Sequence, residues 1–233
     1  IVKDPRVEKV LTSLCSSAIS LSKEISLGDS GGNHSLLVGL NSDGDGQKQL
    51  DVIADDIFCK SLEEVGLGFY ASEERETIEV LNEGGDLGVA IDPLDGSSNI
   101  DCNVSIGTIF SIKEVKNKNN PEQDFFVLGN YLASGYFIYG PQTLLIFTVG
   151  DGIMKFSLNI EDNRFILVNS NLKIPEKTQE YAINSSNSRY WPAPVRSYIE
   201  EVLDGSTGPR KKNYNMRWVA SLVAETHRIL ERG

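Results

Sequence analysis

The chain has 233 residues, enough for one large or two small domains, and its 40% hydrophobic content supports a buried core and excludes a disordered chain. A formal net charge of −11 excludes the broad basic surfaces that nucleic acids and anionic membranes require. No apolar run approaches the ~18 residues of a membrane-spanning helix, and the opening Ile1-Val2-Lys3-Asp4 does not read as a signal peptide.

Asp4 is placed as an N-cap and Pro5 as a first helical residue. Val7, Val10, Leu11, Leu14, Ala18, Leu21 and Ile25 recur at helical spacing, so a first helix runs to about Ser26. Residues 27–47 hold six glycines among Ser, Asn and Asp and read as a long polar loop, either functional or a plain connector. A second helix spans Lys48 to about Glu64, with Leu50, Ile53, Ala54, Ile57 and Leu62 inward, and Gly66 ends it. Leu67–Ala71 reads as a short strand that ends in Ser72-Glu73-Glu74. Leu87–Ile91 reads as a buried strand that stops at Asp92-Pro93-Leu94-Asp95-Gly96-Ser97-Ser98.

Val104–Val115 reads as a strand and Lys116–Gln123 as a polar surface turn. Phe126–Tyr139 is equally compatible with helix and strand. Thr143–Phe147, Gly152–Leu158 and Arg164–Asn169 read as antiparallel strands joined by turns at Gly150-Asp151-Gly152 and Glu161-Asp162-Asn163. Asn171–Lys177 is a linker into a second region. That region holds a strand at Tyr181–Asn184, a helix at Pro192–Leu203, a basic loop at Asp204–Lys212 and a last helix at Met216–Glu231. Cys15, Cys59 and Cys102 lack paired spacing and are placed as free, packed thiols of a reducing cytosol. With only His34 and His227, a histidine triad or a zinc site built from His and Cys is excluded.

The chemistry concentrates where the two short strands end. Asp92, Asp95 and Asp101 fall within ten residues. Two carboxylates ~4 Å apart at an effective dielectric of ~20 repel by about 4 kcal/mol, and a divalent cation offsets that. Oxygen-only ligands select Mg²⁺ or Mn²⁺. Gly96-Ser97-Ser98 offers N–H and O–H groups that suit a phosphate. Glu73 and Glu74 end a neighbouring strand, so both acidic ends can share one edge of a sheet, where open α/β sheets bind ligands. Taken alone, Glu73-Glu74 reads as a solvated acidic turn.

Asp92 to Asp101 followed by Val104-Ser105-Ile106-Gly107-Thr108-Ile109-Phe110 closely resembles the class I fructose-1,6-bisphosphatases, within the lithium-sensitive sugar and inositol phosphatases. Lys48-Gln49-Leu50-Asp51-Val52, Ser72-Glu73-Glu74, Tyr139-Gly140-Pro141, Ile183-Asn184 and Arg217 to Arg228 extend the resemblance over nearly the whole chain. It implies an α/β (α+β layered) sugar-phosphatase fold of alternating helix and mixed-sheet layers. Residues 1–170 would be the metal and catalytic domain, and 171–233 the first part of a sugar-phosphate-binding domain. Family members continue past the position of Gly233, with one more acidic metal ligand and a phosphate-binding lysine.

The resemblance also implies an activity. It is Mg²⁺-dependent hydrolysis of fructose 1,6-bisphosphate to fructose 6-phosphate and phosphate, by a phosphoric monoester hydrolase of gluconeogenesis. Such an enzyme is cytoplasmic and homotetrameric, with two or three Mg²⁺ per subunit and Mn²⁺ as a substitute. Glu73, Glu74, Asp92, Asp95 and the Leu94 carbonyl would hold metal. Asp51 and Glu74 would orient and deprotonate water, and Asp45 would reach the site from a closing loop. Asp95, Gly96, Ser97 and Ser98 would hold the reacting end of the substrate; Asn184, Arg217 and Trp218 would hold the distal phosphate. Trp218 stands where many members have tyrosine, and an indole donates a hydrogen bond but accepts none. Asp51 is otherwise a helix-start acid favoured by the macrodipole, and Arg217 a surface charge. Sedoheptulose bisphosphate, an inositol phosphate, or a catalytically incompetent regulatory domain are the competing readings, and AMP regulation is left open.

Overall fold

The structure, a computed structural model, describes residues 2–28, 34–40 and 46–233. Helix α1 (Pro5–Leu27) starts where Asp4 accepts from the Arg6 N–H at 2.9 Å and Pro5 occupies the first turn. Where a plain polar loop was expected, β1 (Leu37–Leu40) pairs with β2 (Gly46–Lys48). Leu37 and Val38 face solvent there, so backbone pairing rather than burial holds the ladder, and no alternating pattern announces it. Helix α2 (Gln49–Glu64) buries Leu50, Ala54, Phe58 and Leu62, and Gly66 stops it at a positive φ of 78°.

Then follow β3 (Phe69–Ser72), β4 (Glu79–Val80), β5 (Leu87–Asp95), β6 (Ile106–Glu114), the short α3 (Glu122–Phe125), β7 (Tyr131–Tyr139), β8 (Thr143–Thr148), β9 (Ile153–Asn159) and β10 (Arg164–Leu172). They form one eight-stranded mixed sheet in the order β10-β9-β8-β7-β6-β5-β3-β4. Its neighbouring strands run antiparallel except β3 and β5, which are parallel with Ser72 opposite Ile91.

Helices α1 and α2 cover one face. Leu14, Leu21, Phe58 and Leu62 pack there against Tyr70, Val89, Ile112, Phe137 and Leu145. On the other face Val223 and Leu230 of the last helix pack against Tyr136, Ile138, Leu144 and Ile146. Successive residues of β7 thus enter opposite cores. A strand covered on both faces is apolar at every position, which explains why its periodicity matched helix and strand equally. The result is the α/β layered class that the resemblance implies.

In the remaining chain, β11 (Glu180–Tyr181) pairs in parallel with β12 (Asn215–Met216), and α4 (Ala193–Leu203) lies between them in sequence. The strand expected at Tyr181–Asn184 ends early, because Asn184 caps a 3-10 turn by accepting from the Ser186 N–H at 3.1 Å. The last helix, α5 (Leu222–Arg232), begins six residues later than Met216. Ala220 takes a left-handed φ of 57° and Ser221 is extended, so the helix cannot extend back through them. Cys59 is buried and Cys15 partly so, but Cys102 is exposed rather than packed, because it lies in the turn that follows the acidic segment.

Candidate active site

The parallel pairing of β3 and β5 does the first piece of positioning. Both strands run out at the same edge of the sheet, and the Glu73 N–H extends the ladder to the Ile91 carbonyl at 3.1 Å. Glu73 therefore emerges beside Asp92. Pro93 has no N–H to give to β6, and the ladder slips between Asp92 and Asp95. The Pro93 carbonyl accepts from Thr108 Oγ1 at 2.9 Å, and the Leu94 N–H donates to Asp92 Oδ1 at 3.0 Å. The slip is thus pinned on both sides. Gly96 then turns at φ 79°, where a Cβ would lie 2.8 Å from the Ser221 Cβ. Only glycine fits. Ser97–Asn99 make one 3-10 turn, and Asn99 donates to the Val219 carbonyl at 2.8 Å.

Asp51 arrives from the first turn of α2. It is 2% exposed; Oδ2 accepts from the Lys48 N–H at 2.7 Å, and Oδ1 has no partner among the described residues. Burial pushes its carboxyl up to about 6, with a contribution from the Glu73 charge. Glu74 is also pushed up to about 6 by burial, although Gln47 Nε2 donates to its Oε2 at 2.6 Å. Asp92 is raised furthest, to about 8, by burial and then by the charges of Glu73 and Asp95. Glu73 and Asp92 also line an apolar trough of 690 Å³ bordered by Ala71, Ala90 and Tyr136.

Asp95 has a second task. Its carboxylate accepts from Ser221 Oγ at 2.6 Å and from the N–H groups of Leu222 at 3.1 Å and Val223 at 2.8 Å. It thereby caps α5 and ties the acidic turn to the opposite layer.

Among the described residues, no three such side chains already stand arranged to hold a metal ion. The donors nevertheless fit a hard divalent cation. All are oxygens, three hold their protons unusually tightly without one, and Asp51 Oδ1 is buried and unsatisfied.

The sequence model for "Fructose-1-6-bisphosphatase, N-terminal domain" matches residues 6–170, and that for the C-terminal domain matches residues 174–233. The chain belongs to the fructose-1,6-bisphosphatase family. It is 50% identical over 228 residues to a class 1 fructose-1,6-bisphosphatase of Cereibacter sphaeroides, an alignment that covers 97% of this chain and 68% of that protein. It is 53% identical over 204 residues to the class 1 enzyme of Paracoccus denitrificans, covering 87% of this chain and 61% of that one. The crystal structure of Leishmania major fructose-1,6-bisphosphatase in holo form superposes with a TM-score of 0.91 at 29% identity, over 99% of this chain and 73% of that chain.

The remaining expected residues make contacts of their own. Asn184 accepts from the Ser186 N–H through Oδ1, the oxygen of its cap. Arg217 is half-exposed, with Nε 3.4 Å from Glu180 Oε1. Trp218 lines an 870 Å³ cavity that Ile183, Tyr198 and Ser221 also border. Asp45 lies outside the described residues. Gln47 and Ser221, which position Glu74 and Asp95, were not anticipated in this fructose-1,6-bisphosphatase family chain. Gln47 carried no signal. Ser221 carried one, since a serine just before Leu222-Val223 fits an N-cap, and its Oγ accepts from the Ala224 N–H at 3.2 Å.

Proposed function

We propose that this chain hydrolyses fructose 1,6-bisphosphate to fructose 6-phosphate and phosphate, a gluconeogenic reaction. The observation that carries the reading is the convergence of Glu73, Glu74 and Asp92 at the paired ends of β3 and β5, beside the Gly96-Ser97-Ser98 turn. Phosphate monoesters require up to ~20 kcal/mol or more of transition-state stabilisation. Mg²⁺ bound by Glu73, Glu74, Asp92, Asp95 and the Leu94 carbonyl would supply Lewis-acid stabilisation of the phosphoryl oxygens. Two or three ions per subunit, or Mn²⁺ in their place, suit this donor set.

The chain's own residues have separate tasks. Asp51 Oδ1, buried and unpartnered, accepts the proton of the attacking water, and Glu74 orients that water. Asp45 completes this group. Gly96, Ser97 and Ser98 hold the reacting phosphate through N–H and O–H groups, and Asp95 adds a substrate contact beyond its cap of α5. Asn184, Arg217 and Trp218 hold the distal phosphate; Arg217 gives bidentate N–H donation and Trp218 a single indole N–H. A cytoplasmic homotetramer, with residues 1–170 catalytic and 171–233 opening the sugar-phosphate domain, completes the proposal. No helix among the described residues is long and apolar enough to cross a membrane.

Phosphate release from a panel of sugar phosphates, with and without Mg²⁺, tests the assignment. Release from fructose 1,6-bisphosphate that persists fully after chelation would overturn it.

A further inference from the structure

Glu180 is used by none of the roles above, yet three arginines surround it. It opens β11 and its side chain is 11% exposed. Arg232 Nη1 donates to its Oε1 at 2.6 Å, and Arg217 Nε approaches the same oxygen at 3.4 Å. Arg228 Nη1 stands 3.7 Å from Oε2, too far for a hydrogen bond. Arg228 and Arg232 lie one turn apart on α5, while Arg217 directly follows β12, whose Asn215 is opposite Glu180 in the ladder. Arg228 is held in turn by Glu225 at 3.1 Å, and the other oxygen of Glu225 accepts from the Val219 N–H at 3.0 Å. Burial alone would push the Glu180 carboxyl up; Arg217 and Arg232 outweigh that and leave it below the usual carboxylate range.

We propose that Glu180 is a positioning residue that holds the Arg217 guanidinium by its Nε and so presents the two terminal nitrogens to the distal phosphate of a sugar bisphosphate. The proposal rests on the role given to Arg217 above. Its geometric basis is the choice of nitrogen. Glu180 engages Nε, and among the described residues Nη1 and Nη2 of Arg217 have no hydrogen-bond partner, on a side chain that is 53% exposed. Those two nitrogens can form a bidentate pair with phosphate. A bare carboxylate beside a phosphate site would repel the incoming dianion. Arg228 and Arg232 answer that: they neutralise Glu180 from the side of α5, so the carboxylate anchors Arg217 without presenting an uncompensated charge. Asp95 caps the other end of the same helix, so one rigid element references both phosphate-binding regions.

Steady-state kinetics of the whole protein separate this inference from the reading beneath it. The proteins are wild type, E180A, E180Q, R217A and E180A/R217A; the substrates are fructose 1,6-bisphosphate and fructose 1-phosphate, which lacks the distal group. Freeing one long side chain to be ordered again on binding corresponds to a rise in KM of about 3- to 10-fold. E180A is expected to show that rise for the bisphosphate, with kcat moved less than twofold and no KM change for the monophosphate. E180Q keeps the acceptor oxygen and the volume, so it gives a smaller rise and serves if E180A does not fold. In the R217A background, E180A is expected to add nothing. A KM for the bisphosphate that is unchanged or lowered in E180A and E180Q, while R217A raises it, overturns the positioning role alone. An unchanged KM in R217A overturns the distal-phosphate role of Arg217, and Glu180 loses its task with it.

Discussion

Two regions of this molecule handle charge in opposite ways. At the edge of β3 and β5, Asp51, Glu74 and Asp92 are partly or fully withdrawn from water with other carboxylates as neighbours, and each carboxyl is pushed up. Around β11 and β12, Glu180 has three arginines for company and lies below its ordinary range. The first region gathers carboxylates with little positive charge to offset them; the second is already compensated, and Arg217 can keep its Glu180 contact while offering its two terminal nitrogens. Chemistry belongs where charge is unresolved, because interactions that strengthen only when the reacting group arrives lower the barrier. Binding belongs where charge is settled.

Substitution in the unresolved region is expected to have the largest effect. Asp92→Asn removes the carboxylate whose carboxyl is raised furthest and should lower kcat on the order of 10³-fold or more, comparable with losing a central transition-state contact. The fold should survive, because the Leu94 N–H can donate to an amide oxygen as it does to Asp92 Oδ1. Near-normal turnover in Asp92→Asn would erase the distinction between the two regions.

The same contrast predicts a pH dependence confined to one region. Asp92, raised to about 8, and Asp51 and Glu74, raised to about 6, hold protons more tightly in the folded chain than in the unfolded one. Their contribution to stability is therefore fully present below about pH 4, the range where unfolded carboxyls titrate. It is lost as pH rises through 6 and then 8. Each such group adds a slope of up to about 1.4 kcal/mol per pH unit. Urea midpoints in chelator should fall between pH 5 and pH 8, and Mg²⁺ should flatten that fall by binding the ionised carboxylates. In Asp92→Asn the descent should be shallower, because one of the mutually repelling carboxylates is gone. A metal-free protein whose midpoint is level from pH 5 to pH 8 would mean the acidic edge is better solvated than its burial indicates.

In the compensated region the effects should be smaller and of another kind. Arg217→Ala should raise KM for the bisphosphate about 10- to 100-fold, the range for a charged hydrogen-bond pair. It should leave kcat nearly unchanged, since a distal contact is made equally in ground and transition states. A loss of kcat with constant KM would place Arg217 in the chemistry.

How legible each region was in the sequence follows from the range of its contacts. The acidic turn is local: Asp92, Pro93, Asp95 and Gly96 carry their conformational instructions within five residues, and the parallel partner strand ends in its own acids. What holds Asp95 is not local. Its donors lie 126 to 128 positions away, and no spacing rule connects them. The start of α5 was set too early because Val219, Leu222 and Val223 keep helical spacing, while the left-handed Ala220 carries no warning in its side chain. The β1–β2 ladder escaped notice because its apolar residues are exposed, and the capping of Glu74 by Gln47 because both belong to segments that meet only in the fold. The arginines around Glu180 come from β12 and two turns of α5, so their convergence needed the topology.

Trp218→Tyr offers the mildest and most discriminating probe of the compensated region. Trp218 is 45% exposed, so replacing it opens no cavity in the core and should change stability by less than about 0.5 kcal/mol. Both side chains present one donor at the end of an apolar body, an indole N–H or a phenol O–H, and a phosphate requires only a donor. If the position acts simply as a hydrogen-bond donor at a settled site, KM for the bisphosphate should move less than about threefold, a fraction of one neutral hydrogen bond. Trp218→Phe removes the donor and keeps the aromatic body, so it should raise KM more than Trp218→Tyr does. The three KM values should therefore rank Trp and Tyr together, with Phe above them. Equal KM values for Phe and Trp would show that this side chain contributes shape alone, and would leave Arg217 and Asn184 to hold the distal phosphate.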